Sequence, residues 1–169
     1  MKKLLASILA VMLVMAMTSC SGGNSGASGG DQAAQQNTDD KSIVVYFSCT
    51  GNTKAVAEEI AAQTGSDLHE IVPEEPYTEE DLNYNDDNCR ANAEMNDPES
   101  RPAISNTIEN LSDYDTIYIG YPIWWGSLPR IMNTFFDTYD FSGKTIVPFC
   151  TSGSSSISQS VSVIREAEP

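Results

Sequence analysis

Residues 43–53 read Ile-Val-Val-Tyr-Phe-Ser-Cys-Thr-Gly-Asn-Thr. The first five form an apolar run without polar alternation, which is typical of a strand covered on both faces. The next six are small and rich in hydroxyl groups. A helical pattern follows, with Val56 and Ile60 on one face and two glutamates on the other. This stretch therefore predicts a central parallel strand, a polar turn and a helix.

The rest of the chain continues the alternation of strands and helices. Further strands are predicted at residues 67–72, 116–120 and 145–149. Between the last two, Ile131, Phe135 and Tyr139 have helical spacing. Pro129 lies near the start of that helix, where its missing N–H costs nothing. The alternation predicts an α/β fold with a parallel sheet and right-handed crossovers.

Three unusual loops follow predicted strands, at the sheet edge where such folds bind ligands. The first is residues 48–53, which lead into a helix N-terminus with unpaired N–H groups and a positive dipole end. Ser48, Thr50 and Thr53 add hydroxyl donors, so the loop suits a phosphate monoester. It is not a Walker A loop, because the order Gly-Lys-Ser/Thr is absent. The alternative is a simple Thr or Asn helix cap.

The second and third loops are aromatic and serine-rich, respectively. Residues 120–126 contain both tryptophans of the chain, Trp124 and Trp125. Aromatic rings stack favourably on a planar ring system, while core packing is the alternative for either tryptophan. Residues 151–156 follow the fourth strand and could reach a ligand's polyol or ring edge, or form a plain loop.

Together, the sequences Ser48-Cys49-Thr50-Gly51-Asn52-Thr53, Tyr121-Pro122-Ile123-Trp124-Trp125-Gly126 and Pro148-Phe149-Cys150-Thr151-Ser152-Gly153 resemble the flavodoxin-like family in its lipoprotein-associated branch. The resemblance covers most of residues 41–168. It implies a three-layer open parallel sheet and an FMN cofactor. It places the FMN phosphate on Ser48, Thr50, Gly51, Asn52 and Thr53. It places the flavin ring under Pro122, Ile123, Trp124, Trp125 and Gly126, with Thr151, Ser152 and Gly153 along its other edge.

The resemblance also implies a strand order of 2-1-3-4-5, but the sequence stops at Pro169 after a helical pattern over residues 157–168. We therefore expect the fifth strand and the last helix to be missing, which leaves the fourth strand as an uncovered edge. Truncation is favoured over completion of the sheet by a partner chain.

The N-terminus has the parts of a lipoprotein export signal. Two lysines precede an apolar run over residues 4–17, which is shorter than the ~20 residues of a membrane span. Residues 17–20 resemble a lipobox, so we predict a signal peptide at residues 1–19 and lipidation of Cys20. Residues 20–40 form a flexible tether, and residues 41–169 form the domain. The protein would then be anchored at the extracytoplasmic face of a bacterial membrane; the alternative is a cleaved signal that releases a soluble protein.

The charge is strongly acidic, with 24 Asp and Glu against 9 Lys and Arg and a net charge of -15. Nucleic acid is excluded as a partner because the chain has no basic stripe for phosphates. The acid is concentrated in residues 67–115, which we expect either to attract basic protein partners or only to solubilise the surface.

Other chemistries do not fit the sequence. Residues 81–92 begin like an EF-hand loop but carry Asp86 and Asn92 where calcium binding needs glycine and glutamate. The single histidine, His69, lies away from the three loops, so no hydrolase triad is assembled. Zinc lacks a ligand cluster. Cys49 and Cys150 follow strands that are two spacings apart, so both are interpreted as packing residues near the flavin.

These observations predict a membrane-tethered FMN protein that transfers electrons to a redox partner protein or a small-molecule acceptor. FMN carries the chemistry, and no residue needs a catalytic role. One alternative is an NAD(P)H-dependent FMN or quinone reductase. The other, from a different class, is a non-catalytic surface lipoprotein that uses the scaffold without flavin.

Overall fold

The computed structural model describes residues 40–167, which contain a four-stranded parallel sheet. The strands are β1 (Ser42–Tyr46), β2 (Asp67–Glu70), β3 (Thr116–Pro122) and β4 (Thr145–Thr151). The helices are α1 (Asn52–Thr64), α2 (Arg90–Asn96), α3 (Arg130–Thr138) and α4 (Ser158–Ala167), with a short 3-10 turn at Leu111–Asp113. The strand order is β2-β1-β3-β4, so the predicted order and fold class are confirmed.

The predicted signal peptide at residues 1–19, the lipidation site Cys20 and nearly all of the tether lie outside the described residues and stay predictions. Between residues 40 and 167, none of the helices combines the length and the apolar character that crossing a bilayer requires.

The core lies on both faces of β1, as its unbroken apolar sequence predicts. Ile43, Val45 and Phe47 face one side, where they join the larger cluster with β3 and α3. Val44 and Tyr46 face the other side and pack against α1. Successive side chains of a strand point to opposite faces, so a run without alternation places apolar groups on both.

Helix α1 faces the sheet with Ala57 and not with Val56. Ala57 is fully buried and Ile60 packs against the same cluster, whereas Val56, which the helical pattern places on one face with Ile60, is 39% exposed. The helix is oriented by Thr53, which is buried one turn before Ala57 and bonded to the end of β4. The small side chain of Ala57 then lies against Val44 and Tyr46.

The predicted strand limits differ by two residues at three ends. β2 stops at Glu70 and not at residue 72, while β3 and β4 each extend two residues further, to Pro122 and Thr151. Because β3 and β4 are longer than predicted, the first residues of the second and third loops are paired within the sheet, and Pro122 lies opposite Thr151.

The open edge of β2 is closed by a side chain, that of Asn106. Its Oδ1 accepts the N–H of Val72 at 3.0 Å, and its Nδ2 donates to the carbonyl of Glu70 at 2.7 Å. The same Nδ2 lies 3.2 Å from Nε2 of His69. An amide NH₂ can only donate, so this ring nitrogen accepts and is unprotonated. Burial lowers the pKa of His69 below its ordinary value of 6.5.

We expect stability to fall as the pH drops through the ordinary titration range of histidine. Below about pH 6.5 the unfolded chain takes up a proton on His69 that the folded chain resists, so acid favours unfolding. Urea denaturation between about pH 7.5 and about pH 5.5 should show a smaller loss of unfolding free energy in His69→Gln than in the parent. His69 is the single histidine of the chain, so equal pH dependence in both proteins would contradict this assignment.

Candidate functional site

A cavity of about 470 Å³ opens where β1 and β3 end, the edge predicted to bind a ligand. Its volume lies within the range of about 300–1,000 Å³ that is common for small-molecule sites. Its wall consists of Ser48, Cys49, Thr50, Thr53, Leu82, Tyr84, Ala91, Pro122, Ile123, Trp124 and Trp125. The structure thus brings the first and second predicted loops together around one space, and none of the wall residues carries a formal charge at neutral pH.

The first loop is a turn that leaves the start of α1 open. Gly51 has a φ of 82°, a left-handed conformation that a glycine adopts at no steric cost. Its N–H donates to Oγ of Ser48 at 3.1 Å, and the side-chain amide of Asn52 donates to Oγ1 of Thr50 at 3.1 Å. Gly51 occupies the N-cap position and makes no side-chain cap hydrogen bond, so the alternative of a simple Thr or Asn cap was wrong.

The N–H groups that follow Gly51 at the start of α1 are available to a ligand. The first backbone hydrogen bond across the turn is donated by Ala55 to the carbonyl of Gly51. Unpaired N–H groups ahead of it, together with the dipole of α1, form an environment that favours an anion. Thr50 and Thr53 line the cavity at this point, so a phosphate group fits this end of the site.

Thr151 connects all three loops. Its hydroxyl shares a hydrogen bond of 2.7 Å with the hydroxyl of Thr53, and its carbonyl accepts the N–H of Ile123 at 2.9 Å. Thr53 is only 1% exposed. The start of α1, the aromatic loop and the end of β4 are therefore fixed relative to one another by a single residue.

The aromatic loop is a tight hairpin. Trp124 and Ser127 exchange two backbone hydrogen bonds, each 2.9 Å long. The two residues between them have positive φ, 45° for Trp125 and 82° for Gly126, which is the signature of a type I′ turn. A bulky residue seldom adopts this conformation, and such strain is concentrated at ligand sites.

The two tryptophans have different environments. Trp124 is half-buried and packs edge-to-face against Phe47 and Tyr77, with ring centroids 5.7 and 5.3 Å apart. Trp125 is 45% exposed. Core packing, the alternative that the sequence left open for each tryptophan, therefore describes Trp124 in part, although both indoles line the cavity.

Some predicted site residues lie outside the cavity wall. These are Gly51, Asn52, Gly126, Thr151, Ser152 and Gly153. Ser152 bonds within its own turn, since its Oγ accepts the N–H groups of Ser154 and Ser155. The third loop thus meets the site through Thr151, and contact of Ser152 and Gly153 with a ring edge stays a prediction.

The sequence interpretation missed one side of the cavity, which the segment between β2 and β3 provides through Leu82, Tyr84 and Ala91. Tyr84 is 75% exposed. Its signal in the sequence is an isolated aromatic residue within an acidic, asparagine-rich run that has no use for it in the core.

The thiol in the cavity wall, that of Cys49, is not activated. Burial raises the pKa of Cys49 to about 12, so the group stays protonated near neutral pH. Burial also raises the pKa of Cys150. Cys49, Cys89 and Cys150 are all free thiols in the part of the chain that the structure describes. No group of His, Cys, Asp and Glu side chains between residues 40 and 167 could hold a metal ion.

Comparisons with known proteins find flavoproteins of similar fold. A structure named as a flavoprotein from Bacteroides eggerthii is 50% identical, with a TM-score of 0.73 over 75% of this chain and 79% of that chain. A similarly named structure from Bacteroides uniformis is 46% identical, with a TM-score of 0.73 over 75% and 81%. A flavoprotein from Lactobacillus acidophilus in complex with FMN is 27% identical, with a TM-score of 0.63 over 76% and 85%.

No curated protein matches the chain. The family model for flavodoxin matches residues 41–169, which is most of the sequence and includes all three loops and the four strands that the structure describes. The chain therefore belongs to the flavodoxin family.

Proposed function

We propose that this protein binds FMN in the cavity and transfers electrons between that cofactor and a redox partner. The observation that carries the proposal is the cavity itself, which joins an open helix N-terminus to a wall of aromatic side chains. A phosphate and a planar ring system in one molecule match these two ends. The similarity to the FMN complex from Lactobacillus acidophilus supports the same cofactor.

The phosphate end of the cavity would bind the FMN phosphate without a cationic side chain. Lys54, the nearest lysine in the sequence, lies 3.9 Å from the carboxylate of Glu70. The N–H groups at the start of α1 and the hydroxyls of Ser48 and Thr50 would hold the phosphate. Hydrogen bonds to a charged acceptor are about twice as strong as neutral ones, so this donor set suits a dianion.

The ring end would be formed by Trp125 and the neighbouring aromatic groups. Trp125 is partly exposed, and Tyr84, on the segment between β2 and β3, lines the same cavity. Bound FMN would supply one-electron and two-electron chemistry, which no side chain of the cavity can provide. The protein's own part is to bind and orient the ring, to exclude water from one face and to surround it with uncharged groups.

Electron transfer to a partner is favoured over pyridine-nucleotide reduction by the charges around the cavity. NAD(P)H carries a diphosphate, but the open N-terminus of α1 would already hold the FMN phosphate, and the cavity wall offers no cationic side chain for a second anion. The adjoining segment is acidic and would repel it. The cavity therefore favours a carrier over a reductase.

FMN binding can be tested separately at its two ends. The parent should quench FMN fluorescence with a Kd of roughly 1 μM or tighter. Replacing both Ser48 and Thr50 with Ala should weaken FMN at least about tenfold and leave riboflavin, which lacks the phosphate, unchanged. Trp125→Ala should weaken both ligands, because stacking is common to them.

The exposed hydroxyl of Ser112 lies outside the cavity wall, so Ser112→Ala is the matched control and should bind both flavins like the parent. If the parent binds neither flavin, the non-catalytic scaffold is the correct interpretation.

An assay of NAD(P)H turnover distinguishes an electron carrier from a reductase. With FMN-loaded protein and a quinone acceptor, we expect NADH and NADPH oxidation no faster than that of free FMN at the same concentration. A strong reductant should still reduce the bound flavin, which shows that the cofactor is redox-active. Saturable NADPH oxidation, with a rate that rises with protein concentration, would contradict the carrier.

We further propose that a lipid on Cys20 holds the domain at a membrane surface. The sequence of residues 1–20 supports this proposal, and stable anchoring needs more than one acyl chain. In a bacterial host, the parent should incorporate an alkyne-labelled fatty acid and sediment with membranes. Cys20→Ser should lose the label and remain soluble or unprocessed. An unlabelled parent would instead support the cleaved, soluble alternative.

A further inference from the structure

A cluster of three side chains lies beside the cavity but contributes nothing to its wall. The cluster consists of Tyr77, Arg90 and Glu94, and we call it the Tyr77 cluster. The hydroxyl of Tyr77 donates to Oε2 of Glu94 at 2.6 Å, and Nε of Arg90 donates to Oε1 of the same carboxylate at 2.7 Å. The guanidinium of Arg90 lies over the Tyr77 ring, 4.1 Å from its centroid.

The Tyr77 cluster is largely shielded from water. The side chains of Arg90 and Glu94 are 24% and 12% exposed. Arg90 also donates through Nη1 to the carbonyl of Glu75 at 2.9 Å. Burial, followed by the hydrogen bond to Glu94, raises the pKa of Tyr77, so its phenol stays a donor. The carboxylate and the guanidinium are thus paired and hydrogen-bonded, the condition under which charges are tolerated away from water.

The Tyr77 ring makes the connection to the site. It lies 5.3 Å from Trp124 and 5.8 Å from Phe47, and Trp124 lies 5.7 Å from Phe47, all edge-to-face. Phe47 follows β1 and Trp124 follows β3, so the ring of Tyr77 closes a triangle of aromatic groups at the end of the sheet. The indole of Trp124 is bounded on two sides by these rings and contributes to the cavity wall.

Arg90 and Glu94 are needed to orient Tyr77, because the backbone around Tyr77 has little regular secondary structure. Between β2 and α2 the structure describes turns and one isolated bridge at Pro73. Arg90 and Glu94 lie one turn apart on α2, so the helix presents both groups of the ion pair together. Glu94 accepts the hydrogen bond of the Tyr77 hydroxyl and Arg90 lies over the Tyr77 ring. These two contacts orient Tyr77 from outside the triangle.

We propose that Tyr77, held by Arg90 and Glu94, is a positioning residue that fixes the indole of Trp124 and thereby sets the affinity of the site for a flavin ring. This inference rests on the proposed FMN function. It assigns to the acidic segment a role that solubility does not explain, since part of that segment is needed to hold the ring-facing wall in place.

The test uses Trp124 as its own reporter. In a Trp125→Phe background, Trp124 is the single tryptophan, and acrylamide quenching measures its access to solvent without any flavin present. Tyr77→Leu should raise the quenching constant at least about twofold and weaken FMN and riboflavin by the same factor, about tenfold. Tyr77→Phe keeps the ring and should restore most of the quenching protection and the flavin affinity.

Tyr114 provides a matched control. Its hydroxyl donates to Asp67 at 2.6 Å and Nζ of Lys41 lies 5.1 Å from its ring centroid, so it has the same chemistry away from the cavity. Tyr114→Leu should leave Trp124 quenching and flavin affinity unchanged. If Tyr77→Leu does not fold, the milder Arg90→Gln should move both measurements in the same direction as expected for Tyr77→Leu.

The outcomes are distinct. Unchanged quenching and flavin affinity in folded Tyr77→Leu or Arg90→Gln would overturn the positioning role, as would equal losses in Tyr114→Leu. A loss of FMN affinity without any loss of riboflavin affinity would also overturn it, because the effect would then lie at the phosphate end. If the parent binds no flavin, the proposed function fails, but quenching in the flavin-free protein still decides whether Tyr77 positions Trp124.

Discussion

The candidate site depends on the hydrogen bond between the hydroxyls of Thr53 and Thr151. Thr53 is buried in the first turn of α1, and Thr151 ends β4 and binds Ile123 through its carbonyl. A hydroxyl can act as donor or as acceptor, so one threonine donates to the other and both oxygen atoms take part in the bond. Because an unpaired buried donor or acceptor costs about 1–3 kcal/mol, the bond stabilises both the fold and the mutual position of the loops.

An anion site in a chain of net charge -15 requires that local effects outweigh distant ones. The dipole and the open N–H groups of α1 act within one helical turn, at contact distance from a ligand. The acidic groups are concentrated in residues 67–115, part of which forms one side of the cavity, but none of their carboxylates lines its wall. Charges farther than about 8–10 Å are largely screened at physiological salt. The cavity wall itself has no charged side chain. A phosphate in the cavity would therefore contact hydrogen-bond donors and no carboxylate.

The sequence predicted what local patterns determine. The apolar run of β1 and the loops at the strand ends follow from short stretches that carry their own signal, and the strand order follows from the family resemblance of those loops. The closing of the β2 edge by Asn106 and the Tyr77 cluster do not, because they pair residues far apart in a segment without periodicity. The burial of Ala57 in α1 was also not predicted, since one long-range bond from Thr53 selected Ala57 over the larger Val56.

The adjacent tryptophans show why residue type alone could not assign their roles. Trp124 is held by two aromatic neighbours and by its paired backbone bonds to Ser127, so the base of the hairpin is fixed. The two-residue turn built on that base is of type I′, which has positive φ at both central positions, at a cost of roughly 1–2 kcal/mol for a residue other than glycine. Trp125 bears that cost and is left 45% exposed at the cavity mouth. The strain therefore follows from anchoring one indole in the core while its neighbour stays open to a ligand.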